Sequence, residues 1–146
     1  MFEMTTRKFA KHYGLTKIST NEKMTAINYS RMLMLDQLQI KGLKVNTYIG
    51  VHAWEQRILQ PLLIDVIIPT DFRDCDERIE ATIDYDKLCH LVATHVESNT
   101  FQLIETVANQ VANLVKKTFN LEQVNVTVSK PHAIKNAQNI SVSITR

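Results

Sequence analysis

In Val124-Asn125-Val126-Thr127-Val128-Ser129-Lys130-Pro131 the three valines alternate with Asn125, Thr127 and Ser129 before Lys130 and the proline end the pattern. A period of two predicts a strand with one buried face. Ile140-Ser141-Val142-Ser143-Ile144-Thr145 repeats the pattern and predicts a partner strand. Upstream the period changes to that of a helix. Leu88, Leu91, Val92, His95 and Val96 follow one helical stripe behind Asp84 and Asp86, acids that suit a helix N-terminus. Ile104, Val107, Ala108, Val111, Ala112 and Val115 follow a second stripe, with Lys116 and Lys117 in the last turn. Ser98-Asn99-Thr100 reads as a short turn, which makes the helices antiparallel neighbours.

Further upstream, Leu33 and Leu35, then Leu38 and Ile40, then Leu43 and Val45 alternate in blocks whose parity slips near Asp36-Gln37 and at Gly42. This predicts one long strand, or two in series, with a bulge at Gly42. Residues 62–68 form another strand, apolar on nearly both faces, begun by Pro61 and left near Pro69. The order is ββααββ. It predicts an α+β sandwich with two antiparallel helices on one face of an antiparallel sheet. The polar faces of the last two strands are small and uncharged, where a freely solvated sheet usually carries Lys and Glu. Partial cover of that face, or a narrow wet cavity, would explain this.

The chain has 146 residues, 45% apolar and 22% charged, with three Gly and three Pro. That composition excludes a disordered chain, a collagen-like repeat and a small disulfide scaffold. No apolar run approaches the ~18 residues of a membrane span. Cys75 and Cys89 make neither a disulfide framework nor a metal-ligand pattern, so a reducing, cytoplasmic setting is expected. The net charge is +2, but residues 1–33 hold six basic and two acidic residues, leaving 34–146 with eleven basic and thirteen acidic. The body is therefore mildly acidic and shows no nucleic-acid footprint. Residues 1–33 lack the apolar core of a secretory signal and are expected to be a disordered or loosely ordered extension. Residues 34–146 form the domain. Asp71, Asp74, Asp76, Glu77 and Glu80 lack calcium-loop spacing and read as a solvated loop.

Chemistry-bearing residues stand at element ends. Glu55 lies in Val51-His52-Ala53-Trp54-Glu55-Gln56, after Gly50. Tyr85 starts the first helix, Glu105 lies in the first turn of the second, and Lys130 ends a strand before Pro131. Each has an ordinary reading. Glu55 would be a surface carboxylate beside an anchoring Trp, Tyr85 a cap or staple, Glu105 a dipole partner and Lys130 a solvated strand end. His95 reads as a packed, hydrogen-bonded core residue, His52 and His132 flank the candidate segments and could touch substrate, and His12 and His90 read as surface residues.

These segments carry a resemblance. Asn46-Thr47-Tyr48-Ile49-Gly50-Val51-His52-Ala53-Trp54-Glu55-Gln56, Thr82-Ile83-Asp84-Tyr85, His95-Val96-Glu97, Leu103-Ile104-Glu105 and Val128-Ser129-Lys130-Pro131-His132-Ala133 resemble the dihydroneopterin aldolase family in order and spacing. The resemblance covers about residues 34–146. It implies the tunnelling fold, in which ββααββ units join their sheets into a tetrameric β-barrel and two rings stack as an octamer. Asn125, Thr127, Ser129, Ser141, Ser143 and Thr145 would then line the tunnel.

The implied reaction is retro-aldol cleavage of 7,8-dihydroneopterin in folate synthesis, with no metal and no added cofactor. Glu105 would anchor the pterin, with the Ile104 backbone at the ring's polar edge. Lys130 would be the general acid/base. Tyr85 would contact the substrate's trihydroxypropyl chain across a subunit interface and shuttle a proton, and Glu55 would orient that chain or Lys130. His132 departs from family members with Gly after Lys-Pro, and similar Lys-Pro-His-Ala strings occur in dihydroneopterin triphosphate epimerases. Two alternatives follow: an epimerase (an isomerase sharing the retro-aldol intermediate) and a non-catalytic tunnelling-fold module that binds a pterin or purine. A triphosphate would favour added Lys or Arg near the site, and Glu55 and Glu105 have few basic neighbours except Arg57 and Lys135. The expected partners are a small pterin and further copies of the chain, with no nucleic acid and no membrane.

Overall fold

A one-residue insertion keeps the first strand's apolar residues on a single face. In the computed structural model, which describes residues 36–146, β1 (Asp36–Ile49) pairs antiparallel with β2 (Gln60–Thr70), and its register shifts between Ile40 and Leu43. A strand flips its side chains with every residue, so the shift returns Leu43 and Val45 to the side already taken by Leu38 and Ile40. Gly42 sits in the bulge at φ +66°. Its N–H donates to Asp65 Oδ1 at 2.7 Å, which gives the one acid in the apolar strand β2 its partner.

The predicted helices form as α1 (Tyr85–Glu97) and α2 (Ile104–Thr118). The Asp84 side chain caps α1 by accepting the Lys87 N–H at 3.1 Å. Leu88, Val92 and Val96 of α1 and Val107, Ala108, Val111, Ala112 and Val115 of α2 are buried. They pack on Leu62, Ile64, Val66 and Ile68 of β2 and on Val126 and Val128 of β4 (Asn125–Pro131). Each fully buried aliphatic side chain of this size contributes about 1.5–3 kcal/mol, so this layer outweighs the exposed ion pairs in holding the fold.

Two expectations need correction. The link between the helices is more than a turn, because Thr100–Phe101 forms a short strand, β3, paired in parallel with β1 through Tyr48↔Thr100 and Ile49↔Phe101. The sheet order is therefore β3-β1-β2-β4-β5, with β5 at Asn139–Thr145, and the sheet is antiparallel except at that edge. A strand of two residues is too short for periodicity to reveal. His95 is also half-buried rather than packed in the core, and its Nε2 meets Gln110 Oε1 of α2 at 3.1 Å. The expected extension at 1–33, the strand start at Leu33 and Leu35, and His12 lie outside the described residues.

The sheet face away from the helices is bonded to itself. Thr127 Oγ1 lies 2.9 Å from Ser143 Oγ, and the Asn125 amide donates to Thr145 Oγ1 at 3.0 Å. Asn125, Thr127 and Ser129 are half-buried, and Ser141, Ser143 and Thr145 are exposed. All five acids of the 71–80 loop are exposed; Arg73 pairs with Asp71 and holds its carboxyl down at about 2.

Candidate active site

β1 ends at Ile49 and the chain reverses at Gly50, where φ is +143°. The reversal leads, through Glu55 N–H donating to His52 O at 3.0 Å, into a single 3-10 turn, Glu55–Arg57, closed by Arg57 N–H donating to Trp54 O at 3.1 Å. This folds the Glu55 side chain back under the bend. Its exposure is 8%, whereas Trp54 is 59% exposed and stacks with the His52 ring at a centroid distance of 6.3 Å. The ordinary reading is thus inverted: the carboxylate is buried and the tryptophan is exposed.

Lys130 reaches the same place from the end of β4. Its Nζ donates to Glu55 Oε1 at 2.6 Å and to the Ile49 carbonyl at 3.0 Å. The two side chains are 13% and 11% exposed. Glu55 Oε2 accepts the His52 N–H at 3.1 Å, so both carboxylate oxygens are occupied. The Lys130 ammonium holds the Glu55 carboxyl below the usual carboxylate range, with the His52 N–H assisting and burial opposing. An ammonium carries three hydrogens, and Lys130 commits two to these partners.

The facing wall comes from the start of α2. Leu103 caps that helix without a side-chain acceptor, and Leu103, Ile104 and Glu105 line a cleft of about 610 Å³ with Lys130, Glu55, His52, Trp54 and His132. Glu105 is exposed and Ile104 half-buried. The cleft is of small-ligand size. Apolar walls with an ammonium, a free carboxylate and open helix amides suit a flat heterocycle with polar edges.

The structure brings Glu55, Lys130, Ile104 and Glu105 together. It does not bring Tyr85 to them. Tyr85 is 61% exposed at the start of α1 and is absent from the cleft lining of its own chain. Arg57 and Lys135 do not line it either. Sequence reasoning missed Gln56 and Gln60, whose amides hold the bend. Gln60 Nε2 donates to Ile49 O at 2.7 Å and to Glu55 O at 3.2 Å. Gln56 closes the Trp54-Glu55-Gln56 string, but nothing in that string shows what its amide bonds, and Gln60 falls in none of the strings that carry the resemblance. Among the described residues, no group of His, Cys, Asp and Glu is arranged to hold a metal ion, and no helix is long and apolar enough to cross a membrane.

A curled five-stranded sheet backed by two helices, with a polar-edged cleft at the strand ends, defines an α+β domain of the kind the tunnelling-fold resemblance implies. The family model described as FolB: Dihydroneopterin aldolase matches residues 38–145. The dihydroneopterin aldolase of Haemophilus influenzae is 34% identical over 114 residues, covering 77% of this chain and 97% of that protein. The crystal structure of Escherichia coli dihydroneopterin aldolase in complex with neopterin superposes with a TM-score of 0.74 at 37% identity, covering 77% of this chain and 99% of that one. The dihydroneopterin triphosphate 2'-epimerase of Pseudomonas aeruginosa is 29% identical, covering 74% of this chain and 89% of that protein. The chain belongs to the dihydroneopterin aldolase family.

Proposed function

We propose that this protein is a carbon–carbon lyase that splits 7,8-dihydroneopterin into 6-hydroxymethyl-7,8-dihydropterin and glycolaldehyde. The observation that carries this reading is the Lys130–Glu55 pair at 2.6 Å, set in one cleft with Glu105, in a chain of this family. The neopterin bound by the E. coli relative supports a pterin as ligand.

Breaking the C–C bond of the side chain leaves an electron pair on the carbon attached to the ring. The dihydropterin's own C6=N5 imine, protonated at N5, accepts that pair and becomes an enamine. The hydroxyl on the departing fragment loses its proton as glycolaldehyde forms. A proton returned to the ring-attached carbon, with loss of the proton from N5, then restores the imine and leaves hydroxymethyl-dihydropterin. The protein's work reduces to holding the ring and moving protons.

Glu105 accepts the ring's amino and N3 hydrogens in a bidentate, charge-assisted contact. The open amides near Ile104 meet the ring's acceptor edge. Lys130 moves protons at N5 and on the side chain, through water. Glu55, with both oxygens engaged, orients Lys130. Tyr85, absent from its own cleft, serves the cleft of a neighbouring subunit. In this reading residues 34–146 are the catalytic unit, residues 1–33 an extension, and copies join edge to edge into a tetrameric barrel that stacks as an octamer. The free thiols of Cys75 and Cys89 support a cytoplasmic setting.

The second reading is epimerisation, in which the aldehyde rejoins the enamine before it leaves. The Pseudomonas relative's name and His132 after Pro131 favour it as an accompanying activity. Purified protein incubated with 7,8-dihydroneopterin, with glycolaldehyde and the 2'-epimer both assayed, tests the proposal. Glycolaldehyde as main product supports the lyase. Inversion without cleavage makes the chain an epimerase, and binding without turnover makes it a non-catalytic pterin module.

A further inference from the structure

The cleft's two walls come from distant stretches of chain. Glu55 and its turn follow β1, whereas Glu105 opens α2. One side chain ties them together. The Gln56 amide nitrogen donates to the Gly50 carbonyl at 2.5 Å and to the Phe101 carbonyl at 2.8 Å, which uses both of its hydrogens. The Phe101 carbonyl also accepts the Gly50 N–H at 3.1 Å. Bend, 3-10 turn and β3 therefore meet at a single junction. Gln56 adjoins Glu55 in the chain. Phe101 is buried, ends β3, and is followed after Gln102 and Leu103 by Ile104 and Glu105. Beyond that junction, β3 is held to β1 by two residue pairs and by Thr47 Oγ1 donating to the Asn99 carbonyl just before it at 2.7 Å.

We propose that Gln56 is a positioning residue that sets the gap across the cleft, fixing Glu105 relative to the Lys130–Glu55 pair. It touches neither substrate nor reacting atoms and acts through the backbone on both sides. The inference rests on the reading of the cleft as a pterin site. If it holds, the effect of losing Gln56 runs through Glu105 and disappears when Glu105 is already gone.

The test is a cycle of Gln56→Leu, Glu105→Ala and the double variant, with kcat and KM measured for 7,8-dihydroneopterin and neopterin binding followed by calorimetry. Gln56→Leu should lower kcat/KM and neopterin affinity about tenfold, within the range for misplacing a bound group, with KM rising more than kcat falls. On top of Glu105→Ala it should change kcat/KM less than about twofold. A purely structural role would lower both backgrounds equally. Equal losses, or wild-type behaviour of Gln56→Leu, overturn the positioning role while wild-type binding of neopterin leaves the pterin reading standing. Wild-type protein that binds no neopterin overturns the pterin reading and this inference with it. Gln56→Met, which keeps the side chain's length but donates nothing, takes the leucine variant's place if that one does not fold.

Discussion

A β-carbon on Gly50 would lie 2.0 Å from the carboxyl carbon of Glu55. The buried acid therefore leaves no room for a side chain at position 50 while the carboxylate stays in place, and the +143° φ there disfavours one independently. Gly50→Ala can be accommodated only by moving the carboxylate off Lys130. Breaking a buried pair of this kind costs about 3–5 kcal/mol. Urea denaturation should show that loss, with turnover falling alongside. A Gly50→Ala protein of wild-type stability would mean that the acid is not locked by the bend.

Lys130 and Glu105 should separate kinetically. Lys130→Ala removes the proposed proton carrier and should lower kcat by about 10²–10⁴-fold with a modest change in KM. Glu105→Ala removes the proposed ring anchor and should mainly raise KM. Steady-state kinetics on 7,8-dihydroneopterin distinguishes the two patterns. Near-wild-type turnover by Lys130→Ala would remove it from the chemistry.

Tyr85 gives the assembly a direct test. It is 61% exposed and stands apart from its own cleft, so the role proposed for it requires a second chain. Tyr85→Ala and Lys130→Ala proteins should each be nearly inactive. Unfolded together and refolded as mixed oligomers, they should regain activity in sites that draw Tyr85 and Lys130 from different chains. No recovery, in oligomers shown by mass to be mixed, would confine the site to one chain.

The strands and helices were legible because their periods differ and both are long. Val126 and Val128 against Thr127 and Ser129, or Val107 and Val111 along α2, state their own burial. The site was legible in part. Lys130, Glu105 and Glu55 were singled out as polar residues at element ends and by resemblance, but nothing local said that Glu55 is buried and Trp54 exposed. That inversion depends on Gly50 turning the chain and on Lys130, 75 residues away in sequence, arriving from another strand. The bonding of Gln56 left no local trace for the same reason, and β3, at two residues, was also too short for a period to show. Their roles rest on hydrogen bonds to carbonyls far along the chain, and a side chain's backbone partners leave no periodic trace.

His132 carries a left-handed backbone, φ +58°, one residue beyond Pro131. A non-glycine residue there costs about 1–2 kcal/mol, although His tolerates it better than most. Glycine relieves that strain but gives back part of the gain through its looser unfolded chain. His132→Gly should therefore stabilise the fold by roughly 0.5–1 kcal/mol in chemical denaturation. Since His132 also lines the cleft, the same variant shows whether the imidazole touches substrate. A changed ratio of epimer to glycolaldehyde, with higher stability, would mark a functional side chain held at a structural cost. Lower stability would show that the backbone strain is not what it relieves.

The last expectation concerns acid. Lys130 holds the Glu55 carboxyl below its ordinary value of 4.5, so the folded state binds its proton less readily than the unfolded chain. Its contribution to stability is complete above that ordinary value and is lost as pH falls through the lower, folded one. Asp71 and Asp84 are shifted the same way, so total stability falls in acid for several reasons. Glu55→Gln isolates this one. At neutral pH the variant should be less stable than wild type, because an amide cannot match a buried ammonium. The gap should narrow as pH drops below the carboxylate range, where wild type surrenders the same interaction. Unfolding curves for the two proteins at stepped pH values measure that gap directly. Curves that stay parallel down through the acid range would show that Glu55 gains nothing from Lys130, and with it would go the role of this acid in orienting the ammonium.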